Sequence, residues 1–193
     1  MIIGLTGGIG SGKSAIARGL YQMGYTIYDT DSQAKRIMEQ DPDVIAQIKA
    51  LLGNDCYDAD NHYLSSVVAD KVFSQPDLLT QLNAIVHPAV QADIEHRHAA
   101  MNQSRPIPLI VESAILLESG LYRICDKVIA VTAPEDVRVQ RAMQRDHSTL
   151  CKIHARMRAQ ATDEQRAQIA QMVVNNDGQQ SITEICQYIN QHL

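Results

Sequence analysis

The 193-residue sequence contains no apolar run approaching the roughly 20 residues that a membrane-spanning helix needs. No membrane partner is expected. Positive charge is also scarce: the formal net charge is -5, whereas a surface that grips duplex nucleic acid is usually basic. Nucleic acid is therefore not an expected partner, and only local basic patches remain open. Cys56, Cys125, Cys151 and Cys186 include no Cys-x-x-Cys pair and have no histidine at metal spacing beside them. The expectation is four buried thiols rather than disulfides or a zinc site. The opening MIIGLT has neither a basic start nor a small-residue cleavage site, which gives a cytoplasmic expectation. There is no internal repeat, no low-complexity tract and no signature of oligomeric state.

What is present is ordinary for a globular chain, with 45% hydrophobic and 20% charged residues, enough for one well-buried domain with a small insertion. Short β-branched runs alternate with longer helical patterns, the mark of a parallel sheet covered by helices. The strands are expected at Met1 to Thr6, Tyr25 to Asp29, Pro108 to Ser113, Lys127 to Ala133 and Met172 to Asn175. Runs such as PLIV and KVIAV suit strands buried on both faces. The fold class is α/β with a five-stranded parallel sheet. The stretch between the second and third strands is helical in pattern, including a long segment from Asp77 to about Asn102, and exceeds one crossover helix. It reads as an inserted helical subdomain. A second helical excursion, Pro134 to Gln171, separates the last two strands, and SITEICQYINQHL closes the chain with a capping box at Ser181 and Glu184.

The segment GLTGGIGSGKSAIA carries Gly7-x4-Gly12-Lys13-Ser14, placed after a strand and before a helix, the setting that a phosphate-binding loop requires. Glycines at 7, 8, 10 and 12 let backbone N–H groups wrap an anion without Cβ clashes, and the following helix adds its positive end. Lys13 supplies a point charge for the β and γ phosphates, and Ser14 offers a hydroxyl to Mg²⁺. Gly8, Ile9, Gly10, Ser11, Gly12, Lys13, Ser14 and Ala15 are thus the expected nucleotide-binding stretch. The loop implies a nucleoside triphosphate but leaves its use open, since GTPases, motor ATPases and small-molecule kinases share it.

Further chemistry is expected where strands end. YDTDSQAK puts Asp29 and Asp31 on one face if the backbone stays extended, and one of them is placed to accept a proton from an acceptor hydroxyl. The plainer reading has Thr30 or Asp31 capping the next helix, with Gln33 completing a box for Thr30. Glu112 ends PLIVE, where a carboxylate can hold Mg²⁺, or can simply end a strand. Arg138, Arg141 and Arg145 share a helical face in a locally basic stretch, which suits either closure over phosphates or a solvated surface. His87-Pro88 interrupts a helical pattern and suggests a kink or a new helix start that fixes His87.

Taken together, TGGIGSGKS, DTD, LNAIVHP, the Arg138/Arg141/Arg145-Asp146 helix and VVNNDG resemble the dephospho-coenzyme A kinase family, in order from about Ile3 to Gly178. The resemblance implies transfer of the ATP γ-phosphoryl group to the ribose 3′-hydroxyl of dephospho-coenzyme A. It implies a P-loop kinase core at 1–30, 105–137 and 168–193, a helical acceptor-binding domain at 31–104 and a helical lid at 138–167. By the same match Asp31 is the general base, Lys13 and Arg141 stabilise phosphoryl charge, Arg138 contacts ATP, Asn176 lies near the adenine, and His87 belongs to the acceptor side; ATP and Mg²⁺ are the implied nucleotide and metal. The chain departs from the family pattern at Ala114, where proline is usual, at Ser65, where arginine is common, and at Asn175, where aspartate is frequent, while Glu118 matches. Rival readings are another P-loop small-molecule kinase, such as a nucleoside monophosphate kinase, a GTP-dependent switch and a nucleic-acid-remodelling ATPase. The switch lacks an Asn-Lys-x-Asp segment, and the ATPase needs more chain than is present.

Overall fold

The computed structural model describes residues 1–73, 75–101 and 107–193. In chain order the helices and strands are β1 (Ile2–Gly7), α1 (Lys13–Gln22), β2 (Thr26–Asp29), α2 (Thr30–Gln40), α3 (Pro42–Leu52), α4 (Ser65–Phe73), α5 (Pro76–Ala100), β3 (Leu109–Glu112), β4 (Lys127–Thr132), α6 (Glu135–Asp146), α7 (Leu150–Arg158), α8 (Asp163–Ile169), β5 (Met172–Asn175) and α9 (Ile182–His192). The residues group into two compact units, Met1–Tyr28 with Met101–Leu193, and Asp29–Ala100. Asn102, where the long helix was expected to end, and the expected 104/105 boundary lie outside the described residues.

In the first unit the strands run in the order β2-β3-β1-β4-β5. β1 is parallel to β3, with Ile2 opposite Leu109 and Leu5 opposite Glu112, and parallel to β4, with Ile3 opposite Lys127 and Gly7 opposite Val131. β4 is parallel to β5. Every residue of β1 is buried, which is why IIGLTG shows no alternation of polar and apolar residues. One core cluster joins Ile3, Leu5, Ile110, Ile129 and Val131 of the sheet to Ile16, Ala17 and Leu20 of α1 and Ile185, Cys186 and Ile189 of α9. The chain leaves β1 toward β2 on one flank of the sheet and leaves β4 toward β5 on the other. The loops after β1 and β4 therefore part at the carboxyl edge, where open α/β sheets hold their ligands.

In the second unit α5 buries Leu82, Val86, Val90 and Ile94, a four-residue spacing that keeps one face against α2, α3 and α4. Of the kink or new helix start expected at His87-Pro88, the new start does not occur: α5 is one helix with Pro88 inside it, on the exposed side. Proline in a helix interior costs about 3 kcal/mol, while each fully buried aliphatic side chain contributes about 1.5–3 kcal/mol. A stripe extending on both sides of Pro88 outweighs that penalty. Arg36 pairs with Asp93 at 2.9 Å and Arg97 Nη2 donates to Gln33 Oε1 at 2.6 Å, fastening α2 to α5.

All four cysteines are free, but only Cys56 and Cys186 are buried. The expected burial fails at Cys151, which is exposed because α7 buries only Ile153. Among the described residues no helix is long and apolar enough to cross a membrane.

Candidate active site

The loop between β1 and α1 owes its path to glycine. Gly10 has φ +76° and Gly12 φ +92°, in the left-handed region where other residues are strained. Close approach adds a second reason: a Cβ on Gly10 would strike the Arg138 backbone, and one on Gly12 would strike the Asn176 carboxamide. Gly12 is the N-cap of α1 and supplies no side-chain cap, so the Lys13 and Ser14 amides of the first turn are left to an anion, while the Ala15 N–H donates to the Gly12 carbonyl at 2.9 Å.

Lys13 and Ser14 both turn to the end of β3. Lys13 Nζ lies 2.7 Å from Glu112 Oε1, and Ser14 Oγ donates to the same oxygen at 2.6 Å. Glu112 is buried at the carboxyl end of its strand, opposite Leu5 of β1, so the sheet register delivers it to the loop. A carboxylate and a hydroxyl oxygen at this separation form a hard, all-oxygen donor pair, which fits Mg²⁺.

Helices α6 and α8 and the segment after β5 complete the loop's surroundings. Arg138 Nε donates to the Ile9 carbonyl at 3.1 Å while its Nη1 pairs with Asp163 Oδ2 at 2.8 Å. Arg141 Nη1 donates to the Asn176 carbonyl at 2.8 Å, and the buried Asn176 Nδ2 donates to the Ser11 carbonyl at 2.8 Å. A continuous chain of hydrogen bonds thus links α6, the end of β5 and the glycine loop. Arg145 does not join it; this side chain is 59% exposed and pairs with Asp146, which also holds Arg156. These two guanidinium groups hold the Asp146 carboxyl far below the usual carboxylate range. Helical spacing put the three arginines on one face, but only two of them are within reach of the loop.

Four further residues at the loop lie outside the sequence-derived site. Gln160 Oε1 accepts from the Ile9 N–H at 2.9 Å, Glu118 Oε1 accepts from the Ala161 N–H at 2.7 Å, and Asp163 pairs with both Arg138 and Arg166. Arg166 is 1% exposed, and burial lowers its pKa. Glu118 carried a signal as a match to the family pattern. Arg166 belonged to the locally basic stretch that begins at Arg138 but was not singled out within it, and Gln160 and Asp163 carried no mark of their own.

The second unit carries Asp29, Asp31 and His87. The extended geometry that would put both carboxylates on one face is not what forms: the helix begins at Thr30, and Asp29 is its N-cap, accepting from the Asp31 N–H at 3.2 Å and the Ser32 hydroxyl at 2.6 Å. The cap is thus neither Thr30 nor Asp31, because strand β2 ends one residue before them and only Asp29 keeps non-helical dihedrals. Asp31 stands in the first turn of α2 with an exposed side chain. His87 is partly buried on α5, and that burial pushes its pKa below the ordinary histidine value.

The CoaE family model, dephospho-CoA kinase, matches residues 1–181. The chain belongs to the dephospho-CoA kinase family. A dephospho-CoA kinase of Porphyromonas gingivalis is 40% identical over 166 residues, covering 86% of this chain and 80% of that protein. The crystal structure of TT1252 from Thermus thermophilus is similar with a TM-score of 0.84 and 30% identity, covering 100% of this chain and 97% of that one. A dephospho-CoA kinase from Campylobacter jejuni shares the fold with a TM-score of 0.74 at 21% identity, covering 99% and 96% of the two chains. The departures from the dephospho-CoA kinase pattern have defined places: Ser65 opens α4, Ala114 lies in the turn after β3, and Asn175 Nδ2 donates to Asp177 at 2.9 Å.

Proposed function

We propose that this protein transfers the γ-phosphoryl group of ATP to the ribose 3′-hydroxyl of dephospho-coenzyme A, giving coenzyme A and ADP, the final step of coenzyme A biosynthesis. The observation that carries this reading is the convergence of Lys13 and Ser14 on Glu112 beside the glycine loop, in a chain matched by the dephospho-CoA kinase family over residues 1–181. The stretch from Gly8 to Ala15 cradles the phosphates, and Lys13 and Arg141 stabilise charge on the phosphoryl group in transit. Arg138 contacts the nucleotide, and Asn176 lies near its adenine. Asp31 accepts the proton of the 3′-hydroxyl as that oxygen attacks the γ-phosphorus and ADP departs. A positioned base contributes about 10²- to 10⁴-fold. His87 belongs to the acceptor side. Ser14 and Glu112 are the groups that would hold Mg²⁺, which when bound neutralises phosphate charge.

In this reading residues 1–30, 105–137 and 168–193 bind the nucleotide, 31–104 bind the acceptor, and 138–167 act as the lid. The compartment is the cytoplasm, where ATP is supplied and free thiols such as these four persist. The test is mass-spectrometric detection of product after incubation with Mg²⁺-ATP and dephospho-coenzyme A, with nucleoside monophosphates and shikimate as parallel acceptors. One phosphate added to dephospho-coenzyme A alone is the expected outcome. Phosphorylation of another acceptor would leave the nucleotide half of the reading standing and overturn the acceptor half.

A further inference from the structure

Arg166 is among the largest fully buried side chains of the protein, and no role in the transfer chemistry has been given to it. Burying a guanidinium is costly unless it is paired. Its Nη1 lies 3.0 Å from Asp163 Oδ1, while Nε and Nη2 have no hydrogen-bond partner among the described residues. Asp163 spends its other oxygen, Oδ2, on Arg138 Nη1 at 2.8 Å. Arg138 in turn donates through Nε to the Ile9 carbonyl of the glycine loop at 3.1 Å. A Cβ built on Gly8 would strike the Arg138 guanidinium and lie 3.3 Å from Arg166 Nη1, so both cations rest against the loop backbone.

The four groups form a relay that ends on its most deeply buried cation. The Asp163 side chain is 27% exposed and Arg138 11%, whereas that of Arg166 is 1% exposed. Glu118 adds a second negative charge acting on Arg166. Two carboxylate oxygens, each committed to a different arginine, fix the plane of the Asp163 carboxylate, and that plane fixes the fork of Arg138. Without Arg166, Asp163 could rotate toward water and release Arg138 from the loop.

We infer that Arg166 is a positioning residue for nucleotide binding, acting through Asp163 to hold Arg138 on the glycine loop. This rests on Arg138 as a nucleotide contact, and it deepens the kinase reading without depending on the acceptor.

The experiment is a double-mutant cycle read as the Kd for ATP by calorimetry, with no acceptor present. Arg138→Ala is expected to weaken ATP binding by about 10- to 100-fold, the range of a charge-assisted hydrogen bond. Asp163→Asn and Arg166→Met should each weaken it by several-fold, and neither should weaken it further when added to Arg138→Ala. Asp163→Asn breaks the relay at a partly exposed position, so the test survives if Arg166→Met fails to fold. In turnover, both variants should raise KM for ATP and leave KM for dephospho-coenzyme A unchanged. Effects of Arg166→Met that add fully to those of Arg138→Ala, or a lowered Tm with unaltered Kd in both relay variants, would overturn the relay. An unaltered Kd in Arg138→Ala would overturn it at its other end. Failure to phosphorylate dephospho-coenzyme A would touch only the acceptor assignment.

Discussion

Single side chains decide the chemistry. Lys13→Ala removes the cation beside Glu112 and is expected to lower kcat by at least about 10²- to 10³-fold, the cost of losing one preorganised charge-stabilising group. Steady-state kinetics with folding checked by circular dichroism would show it, and near-normal turnover would remove the loop from the reaction. Asp31→Asn should lower kcat by at least about 10²-fold with little change in ATP affinity, the pattern of a lost base. An unaltered kcat would return Asp31 to a purely structural place in the first turn of α2. Thiol reactivity offers a check on the structure that is independent of function. Burial, with help from the neighbouring Asp126, pushes the Cys125 thiol up to about 12, whereas Cys151 is exposed. A limiting alkylating reagent at mildly alkaline pH should label Cys151 first, as judged by peptide mass spectrometry; preferential labelling of Cys125 would contradict the packing around it.

At the scale of elements, helix ends account for what could and could not be read from the chain. The capping box at Ser181 and Glu184 was legible because both partners lie within one turn, and the structure forms it, with Ser181 Oγ accepting from the Glu184 N–H at 3.2 Å. Ser181→Ala should lower stability by about 1 kcal/mol, measurable by urea denaturation. The Glu184 carboxylate is held below its ordinary pKa by the N–H and hydroxyl of Ser181. Its folded pKa therefore lies below the unfolded one. The stabilisation is present above the unfolded glutamate value and is lost as pH falls through the depressed folded value. The difference in stability between Ser181→Ala and the parent should accordingly shrink on acidification through that window, and a constant difference would refute the linkage. The start of α2 was misread for a related reason: DTD offers three adjacent capping residues, and local pattern does not say whether the chain stays extended beyond the expected end of β2. Sheet pairing stops it at Asp29. No new helix starts at Pro88 because proline's local penalty is set against a buried stripe whose partners come from three other helices.

At the scale of the whole molecule, a ligand that binds only the folded state stabilises it by mass action, by about 2.7 kcal/mol at 100-fold excess over Kd. Mg²⁺-ATP at saturating concentration should therefore raise Tm by several degrees in the parent protein and much less in Lys13→Ala, and equal shifts in both would argue against the loop as the binding site. The glycine loop, the five strands and the closing helix were determined by the sequence itself, since each depends on residues contiguous in the chain: glycines that permit positive φ, apolar runs that must be buried on both faces, a cap and its partner one turn apart. Glu112 was legible for the same reason, standing at the end of its own strand. The pairing of Lys13 with Glu112 and the separation of Arg145 from Arg138 and Arg141 were decided only by the tertiary structure. So was the burial of Arg166 behind Asp163. Those contacts join residues far apart in sequence, and helical spacing states which side a residue faces but not what the fold brings to that side.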